Sequence, residues 1–283
     1  VVGGNTFVVV QAEGGDLAHS DGRTAEKACE LIRMHRDEPF FMGVGFVRPH
    51  VPFVAPRPYY SPYPFSEMTL PEKLPGDWDD IPKAGINYKT SKNMKMNLEQ
   101  QHKAVSGYFA SVAYMDAQVG KVMQALRESG QEDRTIVIFT SDNGALARPG
   151  EGSNAPLRGT KGRTTEGGMR VPAIIRWPGV VPAGVAHDEL TTAMDLLPTL
   201  ARWAGTSVPD GVVIDGHDIT DVVIDGATSP YETFAYFNGT SLDSVRDHRY
   251  KLRLLRRHGR QREDITELYD LVDDIGETTD ISS

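Results

Sequence analysis

The chain of 283 residues is 39% hydrophobic and 24% charged, the balance of an ordinary globular protein with room for one large domain, or a large one and a small one. With 30 Lys and Arg against 39 Asp and Glu the net charge is −9, which disfavours nucleic acid as a partner, because such binders concentrate positive charge to displace counterions. A single cysteine, Cys29, excludes an internal disulfide and any multi-cysteine metal centre.

The chain opens at Val1-Val2-Gly3-Gly4 without an initiator Met and reads as a piece of something longer. The first predicted helix runs from about Thr24 to Arg36, with Thr24 as N-cap and Ala28, Leu31, Ile32 and His35 on one face. Phe40 to Val47 reads as a buried strand stopped by Arg48-Pro49. It is also the longest strongly apolar run, far short of the roughly 20 residues that span a bilayer, so no membrane span is expected; no signal peptide is visible. Residues 48 to about 100 are dense in Pro, Lys, Asn and Met, and an irregular stretch of that length tends to be functional.

From Ala104 to Ser129, apolar residues at steps of three and four predict a long amphipathic helix, with Gly130 as its C′ residue. Ile136–Thr140 and Val171–Trp177 read as buried strands, and Leu196–Ala204 as a helix with Asp195 near its start. Helices alternating with nearly continuous apolar strands predict an α/β fold, a mostly parallel sheet covered by helices on both faces. After about residue 206 the pattern changes to short strand-like segments at Phe234–Phe237, Ser244–Asp247, Tyr250–Leu254 and Glu267–Leu271, with a tight turn at Asp247-His248-Arg249. The expected division is therefore 1–205 and 206–283, the second part a small antiparallel α+β subdomain reached by a linker near 206–230.

Polar ligands of open parallel sheets collect beyond the carboxyl ends of the strands. Asp142 and Asn143 sit at such an end, and both offer hard oxygen atoms suited to calcium or magnesium. A turn closing the strand is the other reading, since Ser141-Asp142-Asn143-Gly144 are all turn formers. The segment Leu157–Pro172 holds Lys161 among glycines that let backbone approach an oxyanion; a solvated basic loop would look much the same. His50 is a candidate ligand or proton donor, or simply a loop residue.

Together these segments resemble the sulfatase family of the alkaline-phosphatase-like superfamily. Asp21-Gly22 through Ala28, Phe40 through Phe53 and Tyr108 through Asp116 are similar to the iduronate-2-sulfatase branch. Ser141–Gly144, Leu157–Pro172 and Asp195–Leu200 are more similar to arylsulfatases. The tail is similar too, at Val245-Arg246-Asp247, Tyr250-Lys251-Leu252, Glu267–Leu271 and Gly276–Thr279. The resemblance implies an alkaline-phosphatase-like fold and a sulfuric ester hydrolase that cleaves the sulfate monoester of a carbohydrate or aryl sulfate. It implies Asp142 and Asn143 as two ligands of one calcium ion, Lys161 on the sulfate oxygens, and His50 on the sulfate or the leaving-group oxygen. Glu166 and Arg170 are expected to hold the loop, as a pair; Arg158 and Arg163 are left unassigned.

Family members use a formylglycine made in a Cys/Ser-x-Pro/Ala-x-Arg motif, and that motif is absent here. Cys29 is followed by Glu30-Leu31-Ile32-Arg33 on a predicted helix face and reads as structural. The chain thus resembles the central and C-terminal part of a sulfatase whose first segment is missing, with sheet edge and apolar surface expected to be exposed and activity as written expected to be impaired. A phosphate or phosphonate ester hydrolase of the superfamily, and a non-catalytic binding protein derived from a sulfatase, are the alternatives. Tyr59, Tyr60, Trp78 and Tyr88 lie where a family pocket would vary and could stack on a sugar or simply pack. Family habit implies a periplasmic, secreted or lysosomal location, which the sequon Asn238-Gly239-Thr240 does not decide.

Overall fold

The computed structural model describes residues 9–70, 96–145, 154–258 and 261–282, with backbone alone for 255–258 and 261–263. Val1–Gly4, Trp78 and Tyr88 lie outside the described residues. Contacts divide the chain into two compact units, Val1–Thr135 and Ile136–Ser283.

In the first unit, strand β1 (Val9–Ala12) pairs in parallel with β2 (Phe53–Pro56), Val9 facing Phe53 and Ala12 facing Pro56. Helix α1 (Ser20–Met34) and the long helix α2 (Leu98–Glu128) complete it. Small residues allow α2 to lie close on the strand pair: a Cβ on Gly107 would come within 2.8 Å of the Val9 side chain. The core there joins Ala55 and Tyr60 to Ala110 and Tyr114 of α2, with Val9, Tyr59 and Tyr63 packed around them.

Helix α2 starts six residues before the apolar periodicity does. Its true signal is a capping box, Asn97 Oδ1 accepting from Gln100 N at 2.9 Å and Gln100 Oε1 from Asn97 N at 3.0 Å. It ends as expected at Gly130, which adopts φ +69°. Gly130 N bonds Arg127 O and Gln131 N bonds Leu126 O, a Schellman pair that satisfies carbonyls at the helix end. Helix α1 begins at Ser20, with His19 and not Thr24 at the N-cap position. Gly22 permits that early start: a Cβ there would lie 2.0 Å from Asp16 O, and its N–H donates to the buried Tyr114 hydroxyl at 2.7 Å.

The expected strand over Phe40–Val47 is not formed. Exposure alternates along it as in an extended chain, but it pairs with no strand among the described residues, and Phe41 is 84% exposed. Apolar character alone does not make a strand; the backbone N–H and C=O groups need a partner ladder. Tyr59 and Tyr60 are also structural: Tyr60 is in the core and donates to Val10 O, while Tyr59 donates to the Asp16 carboxylate.

In the second unit, β3 (Val137–Thr140) and β4 (Ala173–Arg176) form an antiparallel pair, so the continuous parallel sheet expected from the sequence is not among the described pairings. The cross-strand partners Phe139 and Ile174 are exposed. A four-residue helix, α3 (Glu166–Met169), precedes β4, and α4 (Leu196–Trp203) comes after it. The buried Asp195 carboxylate ties down the segments on either side of α4, accepting from Thr192 N at 2.6 Å, from His217 N at 2.8 Å and from the Tyr231 hydroxyl. The expected linker contains a short helix, α5 (Thr220–Asp225), which ends at Gly226 with φ +68°. Six residues are too few to show periodicity.

The C-terminal sheet is as expected, an antiparallel meander of β5 (Phe234–Asn238), β6 (Ser241–Arg246), β7 (Tyr250–His258) and β8 (Gln261–Asp270). Asp247 makes the tight turn by accepting from Arg249 N and Tyr250 N, and these bonds, the one from Tyr250 first, hold its carboxyl below the usual range. Among the described residues no helix is long and apolar enough to cross a membrane.

Candidate functional site

The second unit builds its site from the end of β3 and the loop 154–170. Thr140 Oγ1 donates to Pro172 O at 3.1 Å, fixing where β3 ends, and the chain turns at once into Ser141-Asp142-Asn143. Asp142 is exposed and Asn143 half-buried, with Asn143 Nδ2 donating to Asp142 Oδ2 at 2.6 Å.

This strand end is stitched to the loop bearing Lys161. Gly144 N donates to Gly168 O and Lys161 N to Ala145 O, each at 3.1 Å. The Asn154 side chain adds three contacts, its Nδ2 lying 2.9 Å from the carbonyls of Ala145, Gly159 and Gly167. Glycines make such closeness feasible: a Cβ on Gly144 would fall 1.9 Å from Gly167 O, and one on Gly168 2.2 Å from Arg163 O. Asp142, Asn143 and Lys161 are thus carried on two loops that share backbone hydrogen bonds. Lys161 is exposed, and among the described residues no carboxylate pairs with its ammonium.

The donor set at the strand end fits a hard cation in kind. Asp142 and Asn143 offer side-chain oxygens, of the six to eight oxygen ligands, roughly, that calcium takes. No group of three or more His, Cys, Asp or Glu that could hold a metal occurs among the described residues, so two side chains are what this strand end contributes.

The expected pairing of Glu166 with Arg170 is present but long, 3.9 Å, and Arg170 also reaches Asp188 at 3.3 Å. The closer partner of Glu166 is Lys251 of β7, at 2.9 Å. Tyr236 lies beside this cluster, and burial, reinforced by the Glu166 charge, pushes its phenol up to about 12. Arg158 is engaged by the C-terminal part of the unit: it donates to the Tyr269 hydroxyl at 2.7 Å and to Glu277 O at 3.1 Å. Sequence reasoning gave Asn154 no part in the site's framework, and it placed Lys251 and Glu277 in family-like segments without their contacts to Glu166, which lie far apart along the chain.

His50 belongs to the first unit, and its position there is set by Asp21. That fully buried carboxylate on α1 accepts from Val47 N at 3.2 Å and Arg48 N at 2.9 Å, anchoring the segment just before His50. His50 is exposed, and its Nδ1 lies 2.6 Å from Val51 O. Because a carbonyl oxygen can only accept, Nδ1 is the donor in that contact, and Nε2 is the ring nitrogen not engaged by it. Cys29 is buried on α1 with its Sγ against Lys121 O, and burial pushes its thiol up, away from nucleophilic character.

The Sulfatase family profile matches residues 5–206, and that of the N-sulphoglucosamine sulphohydrolase C-terminal region matches 161–283. The arylsulfatase of Clostridium perfringens (strain 13 / Type A) is 34% identical over 199 residues, covering 68% of this chain and 39% of its own length. Among solved structures, Ps i-CgsB in complex with k-i-k-neocarrahexaose is similar with a TM-score of 0.69 at 25% identity, over 93% of this chain and 50% of that one. The phosphonate monoester hydrolase of Agrobacterium radiobacter is similar with a TM-score of 0.62 at 25% identity, over 99% of this chain and 62% of that one. The chain spans between 24% and 39% of the length of the first curated relatives it matches.

Proposed function

We propose that this chain, which belongs to the sulfatase family, carries the charge-stabilising part of the centre of a sulfuric ester hydrolase acting on the sulfate monoester of a carbohydrate or an aryl sulfate. The observation that carries the reading is the junction between the Asp142-Asn143 strand end and the Lys161 loop, made by Gly144 N to Gly168 O and Lys161 N to Ala145 O. Two hard-oxygen side chains and an ammonium that no carboxylate among the described residues pairs with are held on adjoining loops, the groups an anionic ester needs around it.

Cleaving a sulfate ester builds negative charge on the departing oxygen and retains it on the sulfuryl group. Charges preorganised at those atoms lower the barrier because they need no reorganisation during reaction. Lys161 is proposed to bind the sulfate oxygens, and His50, through Nε2, to serve the sulfate or the leaving oxygen. Asp142 and Asn143 would hold calcium, which when bound supplies positive charge against the same anionic group. Formylglycine chemistry, the family's covalent step, is assigned to no residue of this sequence; Cys29 is unsuited to it.

The same reading gives 1–205 to an alkaline-phosphatase-like catalytic portion with a mostly parallel sheet sandwiched by helices, and 206–283 to the C-terminal subdomain. The Sulfatase profile ends at residue 206, while the C-terminal-region profile begins at 161, so the two overlap across the proposed boundary. The carbohydrate preference draws on the carrahexaose complex among the similar structures. A periplasmic, secreted or lysosomal location rests on family habit alone.

A second reading, phosphonate ester hydrolysis, is favoured by the similarity to a phosphonate monoester hydrolase over 99% of the chain. Turnover of aryl sulfate against aryl phosphonate by the protein expressed from its complete reading frame separates the two. Sulfate should be preferred, and Asp142→Ala or Lys161→Ala should each lower its turnover by about 100- to 1,000-fold. Preferential phosphonate cleavage would overturn the choice, and absence of turnover on both esters would favour a binding protein.

A further inference from the structure

Loop 158–166 is fastened to the C-terminal sheet and its tail at three points. At one end, Arg158 Nη1 donates to Glu277 O at 3.1 Å and to the Tyr269 hydroxyl of β8 at 2.7 Å. Near the other, Thr164 Oγ1 donates to Asp243 Oδ2 of β6 at 3.0 Å. At that other end, Glu166 N donates to Glu277 Oε2 at 2.8 Å, while Lys251 Nζ of β7 lies 2.9 Å from Glu166 Oε1 and 3.2 Å from Glu277 Oε1. Glu277 therefore grips both ends of the loop, its carbonyl holding Arg158 and its carboxylate holding Glu166, with Lys161 between them.

Two features single this cluster out from ordinary packing. The side chains of Lys251 and Glu277 are 0% exposed and that of Glu166 2%, with Arg246 adding a second cation 3.5 Å from Glu166. Buried ion networks contribute little net stability compared with apolar packing, and their recognised use is to specify one geometry. Glu277 is moreover the one non-glycine residue with positive φ among the described residues, at 53°. Such a conformation persists only where the surroundings over-determine it, and it clusters at functional positions.

We propose that Glu277, Lys251 and Glu166 are positioning residues that set the loop presenting Lys161 to the substrate's anionic group, so that the C-terminal sheet is a working part of the centre. This rests on the sulfate-ester reading of the site. Because the cluster acts through Lys161, its effect on turnover is not independent of that side chain. A misplacement of about 1 Å costs on the order of 100-fold in rate, so Glu277→Ala lowers kcat/KM on an aryl sulfate about 100-fold.

The test is a double-mutant cycle on the protein from its complete reading frame. In the Lys161→Ala background, Glu277→Ala should change kcat/KM by less than about twofold, since interacting residues are non-additive. Glu277→Gln, which keeps an acceptor oxygen for Glu166 N but loses the charge facing Lys251, should fall between wild type and Glu277→Ala. Equal losses in both backgrounds, or a Glu277→Gln variant as impaired as Glu277→Ala, would overturn the inference. Amide hydrogen exchange of the unmodified protein needs no variant to fold: the Glu166 amide should be protected to the same degree as the amides of β7, and exchange at the rate of an exposed loop would equally overturn it. If Lys161→Ala alone leaves aryl sulfate turnover unchanged, it is the proposed function that fails, and the exchange measurement still decides whether Glu277 fixes the loop.

Discussion

Replacing Gly144 by Ala tests the junction on which the site depends. Gly144 is buried, and its backbone lies outside the left-handed region, so alanine meets no conformational penalty there and any loss comes from contact. The added Cβ would sit 1.9 Å from Gly167 O, 2.8 Å from its carbonyl carbon and 3.0 Å from Gly168 Cα. These are backbone atoms, so relief requires the two loops to part by about 1.5 Å to regain ordinary van der Waals separation. That movement breaks the 3.1 Å bonds from Gly144 N to Gly168 O and from Lys161 N to Ala145 O. Two such bonds are worth about 1 kcal/mol each. Residual overpacking adds about 1 kcal/mol or more, which gives an expected destabilisation of about 2–4 kcal/mol. Urea unfolding of the wild type and variant measures it, and aryl sulfate turnover of the variant should fall on the order of 100-fold as Asp142 and Lys161 separate. A variant that unfolds at the wild-type urea concentration and retains wild-type turnover would refute the account of the junction.

Tyr114→Phe should cost about 1–3 kcal/mol in thermal or urea unfolding, because the buried Gly22 N–H near the start of α1 loses its acceptor; an unchanged midpoint would show the amide finds another. Cys29→Ser should leave aryl sulfate turnover unchanged, and a folded but inactive variant would contradict the structural role given to that residue. Burial favours the neutral phenol of Tyr59, Tyr60, Tyr231 and Tyr236, each pushed from 10.0 up to about 12. Their contribution to stability is therefore complete below pH 10 and is lost as pH rises towards about 12. Tyrosinate absorbance measured together with circular dichroism checks this, and ionisation of these groups near pH 10 without loss of structure would count against it.

Local chemistry decides which features are legible in the sequence. The end of α2 at Gly130 and the turn at Asp247 depend on residues within a few positions, and both stand where the sequence predicts them. The start of α2 is harder to place because residues 98–103 are polar and carry no periodicity, although Asn97 and Gln100 announce a capping box. Phe40–Val47 looks like a strand by composition, yet pairing is a property of the partner and not of the segment. Likewise β3 and β4 are recognisable as strands, while their antiparallel pairing joins residues that no local pattern relates. For the site, Asp142, Asn143 and Lys161 stand out through donor chemistry and neighbouring glycines. Lys251 and Glu277 fall in family-like segments, but their partner is not legible there, since they reach Glu166 across 85 and 111 positions of chain.

The central claim is that Asp142, Asn143 and Lys161 serve one anionic group and its cation. Linked binding of calcium and inorganic sulfate to the protein from its complete reading frame, measured by titration calorimetry, tests it most directly. Calcium should tighten sulfate binding, with reciprocal coupling on the order of 1–3 kcal/mol, and Asp142→Ala should abolish both the calcium site and the coupling while Lys161→Ala weakens sulfate alone. Calcium binding indifferent to Asp142, or sulfate binding indifferent to calcium and to Lys161, would contradict it.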